Sequence, residues 1–212
     1  DCQGIKNAYV GDNVVDMDNC FYSCYQLSSA YIGPNVVTAR NAYQYCSGIG
    51  VIEGNPASLQ NGYNMFYSCT RLMTVPNEFP ALIDGYNMFS SAYNIDKLPK
   101  CPNLINGYGM FSYINTFTHQ QVQDFLDNAT SLKTMTQMFN FANYPQYVNL
   151  MNLNYPDHVE TIDYLFTGTT TYTAYECVDV DNDIWDNVSR DWIGENAICP
   201  DTVKNIRGLY IA

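Results

Sequence analysis

Gly62-Tyr63-Asn64-Met65-Phe66, Gly85-Tyr86-Asn87-Met88-Phe89 and Gly107-Tyr108-Gly109-Met110-Phe111 are three versions of one pentapeptide. Their phenylalanines lie 23 and then 22 residues apart. A period held that closely marks a structural repeat, and it decides how the rest of the chain is read. An apolar residue stands seven positions before each phenylalanine, at Leu59, Leu82 and Leu104. Toward the N-terminus the same pair becomes Val36 with Tyr43 and Val14 with Phe21. Toward the C-terminus it becomes Leu132 with Phe139, Val159 with Phe166, Val178 with Trp185 and Val203 with Tyr210. That makes about nine units of 22–28 residues, the longest steps being those into Phe139 and Phe166 and one step, from Phe166 to Trp185, being shorter at 19.

Each unit carries further apolar positions. Leu27, Ile49, Leu72, Ile95 and Phe117 stand six residues after the aromatic, and Ala30, Ile52, Val75 and Leu98 nine after it. Val14, Met17, Phe21 and Cys24 recur at the spacing of one helical face. Leu72-Met73-Thr74-Val75-Pro76 reads as a short extended run stopped by proline. One such unit cannot bury its apolar face alone, whereas a stack of them makes a continuous core. The expected fold is therefore an α/β repeat solenoid, leucine-rich-repeat-like, with short parallel strands and short helical or 3-10 segments. Residues 1–13 are its N-terminal edge and 14–210 its repeats. Gly62, Gly85 and Gly107 fall within the helical face, where glycine costs about 1 kcal/mol, so the central units should be irregular or closely packed there. Thr118-His119-Gln120-Gln121 fits a capping box, and Val122, Phe125 and Leu126 follow at helical spacing. A helix is predicted over 118–128, with the second half of the chain more helical than the first.

Composition excludes several roles. Only 14% of residues are charged and the formal net charge is -12, with 9 basic residues dispersed along 212. Phosphate neutralisation needs clustered Lys and Arg, so nucleic acid is not an expected partner, and an anionic membrane surface is excluded on the same ground. No run reaches the roughly 18 apolar residues that span a bilayer.

Met65-Phe66-Tyr67-Ser68-Cys69-Thr70-Arg71-Leu72 and Cys20-Phe21-Tyr22-Ser23-Cys24-Tyr25-Gln26-Leu27 resemble the M-F-x-x-C-x-x-L core of BspA-type leucine-rich repeat proteins. Lys133-Thr134-Met135-Thr136-Gln137-Met138-Phe139 and Asn13-Val14-Val15-Asp16-Met17 resemble the preceding half of that unit. The likeness runs from about Val10 to Tyr210. It implies a curved right-handed solenoid of the kind found on bacterial surface adhesins, with similar arrays in parasite surface proteins and phage proteins. Ala92, Ile114, Ala142 and Thr169 depart from the pattern where it has Cys.

Eight cysteines are present. Cys24, Cys46 and Cys69 share one repeat position and read as a ladder of buried thiols behaving as small hydrophobes. A metal site lacks CxxC pairs and histidine partners. Cys177 with Cys199, and Cys2 with Cys20, are candidate disulfides, and either bond would imply an oxidising compartment. Asp179-Val180-Asp181-Asn182-Asp183 begins like a calcium loop. It fails at Ile184, where the loop needs glycine, and at Arg190, where it needs the last ligand. His119 and His158 are the only histidines, and no G-x-S-x-G, H-E-x-x-H or P-loop occurs. No enzyme, cofactor or metal is expected.

The function expected from this reading is a non-enzymatic binding module of a cell-surface or secreted adhesin. It would recognise a protein or glycan through the exposed sheet face. Its outward candidates are Ser29, Val51, Thr74 and Lys97, rimmed by Tyr31, Glu53, Asn77 and Lys100. The series Tyr63, Tyr86 and Tyr108 invites sugar stacking, but its place beside the apolar face favours packing. The alternative is a structural or host-recognition part of a phage virion, such as a tail or fibre. The ninth unit runs to Tyr210-Ile211-Ala212 with no polar cap, which fits a fragment or an end covered by another chain.

Overall fold

A computed structural model describes residues 2, 4–114, 117–140 and 156–161. The units anchored at Trp185 and Tyr210, and the aromatic Phe166, lie outside these residues. Three short strands, β1 (Asn7–Val10), β2 (Ser29–Ile32) and β3 (Val51–Gly54), pair in parallel in that order. The register is a shift of one unit: Asn7 faces Ser29, which faces Val51, and Tyr9 faces Tyr31, which faces Glu53. Parallel strands need a crossover between them, and the remainder of each unit supplies it. Alternation then sends Ala30, Ile32 and Ile52 inward and their neighbours outward. After β3 the strand line continues only as single bridges, Val51 to Thr74 and Glu78 to Lys100. Pro76, Pro80 and Pro99 interrupt that stretch, and each lacks the N–H a ladder requires.

A second line of contact is longer. Asp16, Thr38, Asn61, Asp84, Asn106, Thr134 and Thr161 bridge in parallel, one residue per unit. All stand five positions before their aromatic. Beyond each bridge the backbone donates to the next unit at every second residue. Gly62, Asn64, Phe66 and Ser68 give their N–H groups to the carbonyls of Asp84, Tyr86, Met88 and Ser90 at 2.8–2.9 Å. The intervening N–H groups of Met65, Tyr67 and Cys69 turn back within the unit to Gly62, Asn64 and Phe66. Neighbouring described units repeat the pattern.

This segment is not the helical or 3-10 piece that the apolar spacing suggested. Asn64 and Ser68 have φ of 50° and 59°, and the equivalent pairs Asn19/Ser23, Asn41/Tyr45, Asn87/Ser91 and Gly109/Tyr113 are also left-handed. A right-handed helix requires negative φ throughout. What forms instead is a series of turns whose three-residue rhythm buries the same positions a helix would. Asparagine tolerates the left-handed region better than most residues. Its side chains also bond across units, from Asn41 Nδ2 to Asn19 Oδ1 at 3.1 Å and from Asn64 Nδ2 to Asn41 Oδ1 at 3.3 Å.

Inside the stack runs a column of rings. Phe21, Tyr43, Phe66, Phe89, Phe111 and Phe139 lie nearly parallel, with successive centroids 5.3–5.8 Å apart. Beside them, methionine of one unit fills the space over glycine of the unit before. A Cβ on Gly62 would stand 2.7 Å from Met88 Sδ, and one on Gly85 2.9 Å from Met110 Sδ. At Gly107 it would meet Met138 Cε. Close packing, not irregularity, is thus the reason for these glycines. Where a unit carries Met17, the next one carries Ala42 in the methionine's place.

Tyr43 brings a hydroxyl into this column. It is fully buried and its oxygen has no hydrogen-bond partner. An unsatisfied buried polar group costs about 1–3 kcal/mol. Tyr43→Phe is therefore expected to raise stability by about 1 kcal/mol, measured as a higher urea midpoint at unchanged slope. A lower midpoint would mean that the hydroxyl has a partner.

The longer step before Phe139 holds one helix, α1 (His119–Asn128). Thr118 caps it, accepting from the Gln121 N–H while the Gln121 side chain accepts from the Thr118 N–H at 2.8 Å. Val122, Phe125 and Leu126 face the core, as their spacing predicts. Within the N-terminal edge, several residues also take repeat positions. Cys2, Ile5 and Ala8 pack against the core, each 22 residues before Cys24, Leu27 and Ala30.

Candidate functional site

The outward side of the β1–β3 sheet gathers two rows. Asn7, Ser29, Val51 and Thr74 make the first, and Tyr9, Tyr31 and Glu53 the second. Parallel registry at one residue per unit is what aligns them. Ser29 Oγ donates to Asn7 Oδ1 at 2.8 Å. The rings of Tyr9 and Tyr31 stack at 4.9 Å and 14°, and Tyr9 is 74% exposed. Ser29, Tyr31 and Val51 are half-buried, while Glu53 and Thr74 are exposed. Tyr9 and Asn7 escaped the sequence reading because no aromatic anchor precedes them. Their signal was the constant offset of 22 from Tyr31 and Ser29.

Lys97, Asn77 and Lys100 form a separate, exposed group beyond the last regular strand. Lys97 Nζ donates to Asn77 Oδ1 at 2.5 Å, and Lys100 bridges back to Glu78. Lys97 lies in a bend, so it does not extend the row of Ser29, Val51 and Thr74 as a strand residue would.

Tyr63, Tyr86 and Tyr108 stack on one another at 4.9 and 4.6 Å, within 12° of parallel. Both faces of Tyr86 are therefore taken, and sugar stacking has no free face there. Partial burial, then Tyr108, Tyr63 and Asp84, raise the Tyr86 phenol above its ordinary value. Alongside runs the row of bridge residues, several of whose side chains close a small turn: Asn61, Asp84 and Asn106 Oδ1 accept from the N–H groups of Tyr63, Tyr86 and Tyr108 at 3.0–3.1 Å. Asn106 Nδ2 also donates to Asp84 Oδ1 at 3.0 Å.

The thiols are structural. Cys24, Cys46 and Cys69 are buried, and the last two donate to the carbonyls of Phe21 and Tyr43 at 2.9 and 3.1 Å. Burial pushes the Cys46 thiol up to about 12 and Cys69 well above the usual range. Neither forms the reactive thiolate near neutral pH. The pairing of Cys2 with Cys20 does not form, since both are free. Cys2 lies at the head of the thiol row, hydrogen-bonded with the Cys24 thiol, while Cys20 is exposed beside Asp16 and Asp18. Cys177, Cys199 and the acidic run at 179–183 fall outside the described residues. Among the described residues no cluster of His, Cys, Asp and Glu could hold a metal ion. None of their helices is long and apolar enough to cross a membrane.

Cys20 is exposed and Phe21 and Val14 are half-buried, yet their counterparts in later units, such as Met65, Phe66 and Leu59, are fully buried. No family model matches the chain, and neither a curated protein nor a solved structure does.

Proposed function

We propose that the chain is a leucine-rich-repeat-like solenoid of the BspA type. It serves as a non-enzymatic binding module of a secreted or cell-surface adhesin. The observation that carries the reading is the outward sheet face. Two rows in register, on strands whose inner side chains are buried, hold a stacked tyrosine pair beside serine, threonine and glutamate. Tyrosine offers a large rigid contact area with a polar tip, which makes it a frequent interface anchor. Rigid strands present it without an ordering cost on binding. The partner is a protein or glycan on a cell surface.

Labelled protein titrated onto a panel of bacterial and animal cells tests this. Saturable binding is expected. Tyr31→Ala should weaken it roughly 30-fold, as loss of a hot-spot residue worth about 2 kcal/mol does. Tyr113→Ser, on an exposed turn away from the sheet, should leave it unchanged. Equal loss in both variants, or no saturable binding to any cell, sinks the reading.

A second reading is a structural or host-recognition component of a phage virion. Self-association or particle incorporation in place of cell binding would select it.

A further inference from the structure

Asn61-Gly62, Asp84-Gly85 and Asn106-Gly107 occupy the same place in three consecutive units. An asparagine followed by glycine is the sequence most open to self-modification. With no Cβ in the way, the glycine nitrogen can attack the asparagine side-chain carbonyl carbon. The geometry points to Asn61 and Asn106 as latent deamidation sites, locked by the unit stacked on them and released when that unit lifts away.

Each site has a locked half and a poised half. The Gly62 N–H is bonded to the Asp84 carbonyl and the Gly107 N–H to the Thr134 carbonyl, both at 2.8 Å. These bonds run to the following unit. They hold the proton that must leave. Asn61 Oδ1 and Asn106 Oδ1 accept from the N–H groups of Tyr63 and Tyr108, at 3.0 and 3.1 Å. These bonds lie within the unit and survive its separation from the next one. They polarise the amide carbonyl and would steady the oxyanion that forms on attack. Opening the interface frees the nucleophile and leaves the electrophile prepared.

The chemistry balances with water alone. The glycine nitrogen loses its proton to hydroxide and bonds to the side-chain carbon, and the Nδ2 group leaves as ammonia. Water then opens the cyclic imide at one of its two carbonyls, giving aspartate or isoaspartate. The product disturbs the row that made it. Asn106 Nδ2 donates to Asp84 Oδ1, and a parallel backbone bridge pairs Asn61 with Asp84 on the other side. Losing either amide sets a second carboxylate beside Asp84, where like charges repel. A stack that has opened once is thereby biased to open again.

The test incubates the intact chain at mildly alkaline pH and follows both asparagines by peptide mass spectrometry. The native chain should convert at least roughly tenfold more slowly than the chain in urea, since reaction waits on local opening. Met138→Ala removes the side chain lying over Gly107 and should speed Asn106 without changing Asn61. Met88→Ala, over Gly62, should do the reverse. Native conversion as fast as in urea overturns the inference. So do variants that speed both asparagines equally.

Discussion

Phe89→Ala is expected to cost about 3–5 kcal/mol, the range for removing a fully buried phenylalanine. The ring lies 5.3 Å from Phe66 and 5.7 Å from Phe111 in the central column, with Phe79 edge-on at 6.0 Å. It is fully buried. Its loss leaves a void that two neighbouring rings cannot both fill, because each is held by a further ring beyond. Against a total stability of about 5–15 kcal/mol, that is a severe loss. Phe21→Ala provides the internal comparison. Phe21 ends the column, stacks on Tyr43 alone and is half-buried, so its removal should cost about half as much. Urea unfolding of both variants decides the matter. In a linear stack each unit contacts only its neighbours, so Phe89→Ala should also flatten the transition as the two sides uncouple. Equal costs at Phe21 and Phe89 would show that the column is not a continuous core.

Some of this architecture was open to reading from residues alone. The period, the aromatic positions and the small-residue pattern survive any choice of backbone conformation, because burial in a stack depends only on which residues recur. The helix α1 was readable for a local reason, as Thr118 and Gln121 satisfy each other's backbone before any tertiary contact forms. The turns were misread because Val14, Met17, Phe21 and Cys24 fit helical spacing and three-residue turn spacing equally well. The sign that separates the two was present. Asn19, Asn41, Asn64 and Asn87 stand two positions before the aromatic in four successive units, and a recurrent asparagine at one place marks a left-handed residue. In the next unit Gly109 takes that place, with φ of 57° and Asn87 Oδ1 where its Cβ would be.

The candidate face was less accessible. Ser29, Val51 and Thr74 align as their offsets require. Lys97 does not, since the prolines after Thr74 end the regular ladder and no periodicity argument weighs a missing N–H. Tyr9 and the repeat position of Cys2 were missed for a shared reason. A half-unit lacks the aromatic that announces the others, although its spacing to the next unit is intact.

Gly54→Ala is expected to cost about 2–4 kcal/mol, from backbone strain together with a clash that cannot relax. Gly54 closes β3 with φ of 116°, a region that side chains rarely enter. A Cβ there would strike the Ile32 carbonyl oxygen and lie 2.9 Å from the Ile32 carbonyl carbon and nitrogen. All three are backbone atoms of the paired strand, so relief requires β2 and β3 to part. Gly50→Ala is the control. Its Cβ would stand 3.8 Å from the nearest atom, the Arg71 carbonyl oxygen, and the change should be neutral or stabilising by up to about 1 kcal/mol through the unfolded chain. The contrast reaches function as well as stability. Gly54 follows Glu53, which faces Tyr31, so parting the strands misplaces the second outward row. Under conditions where both variants stay folded, Gly54→Ala should lose cell binding and Gly50→Ala should keep it. Binding unchanged in a destabilised Gly54→Ala would free the β2–β3 face from any role in recognition.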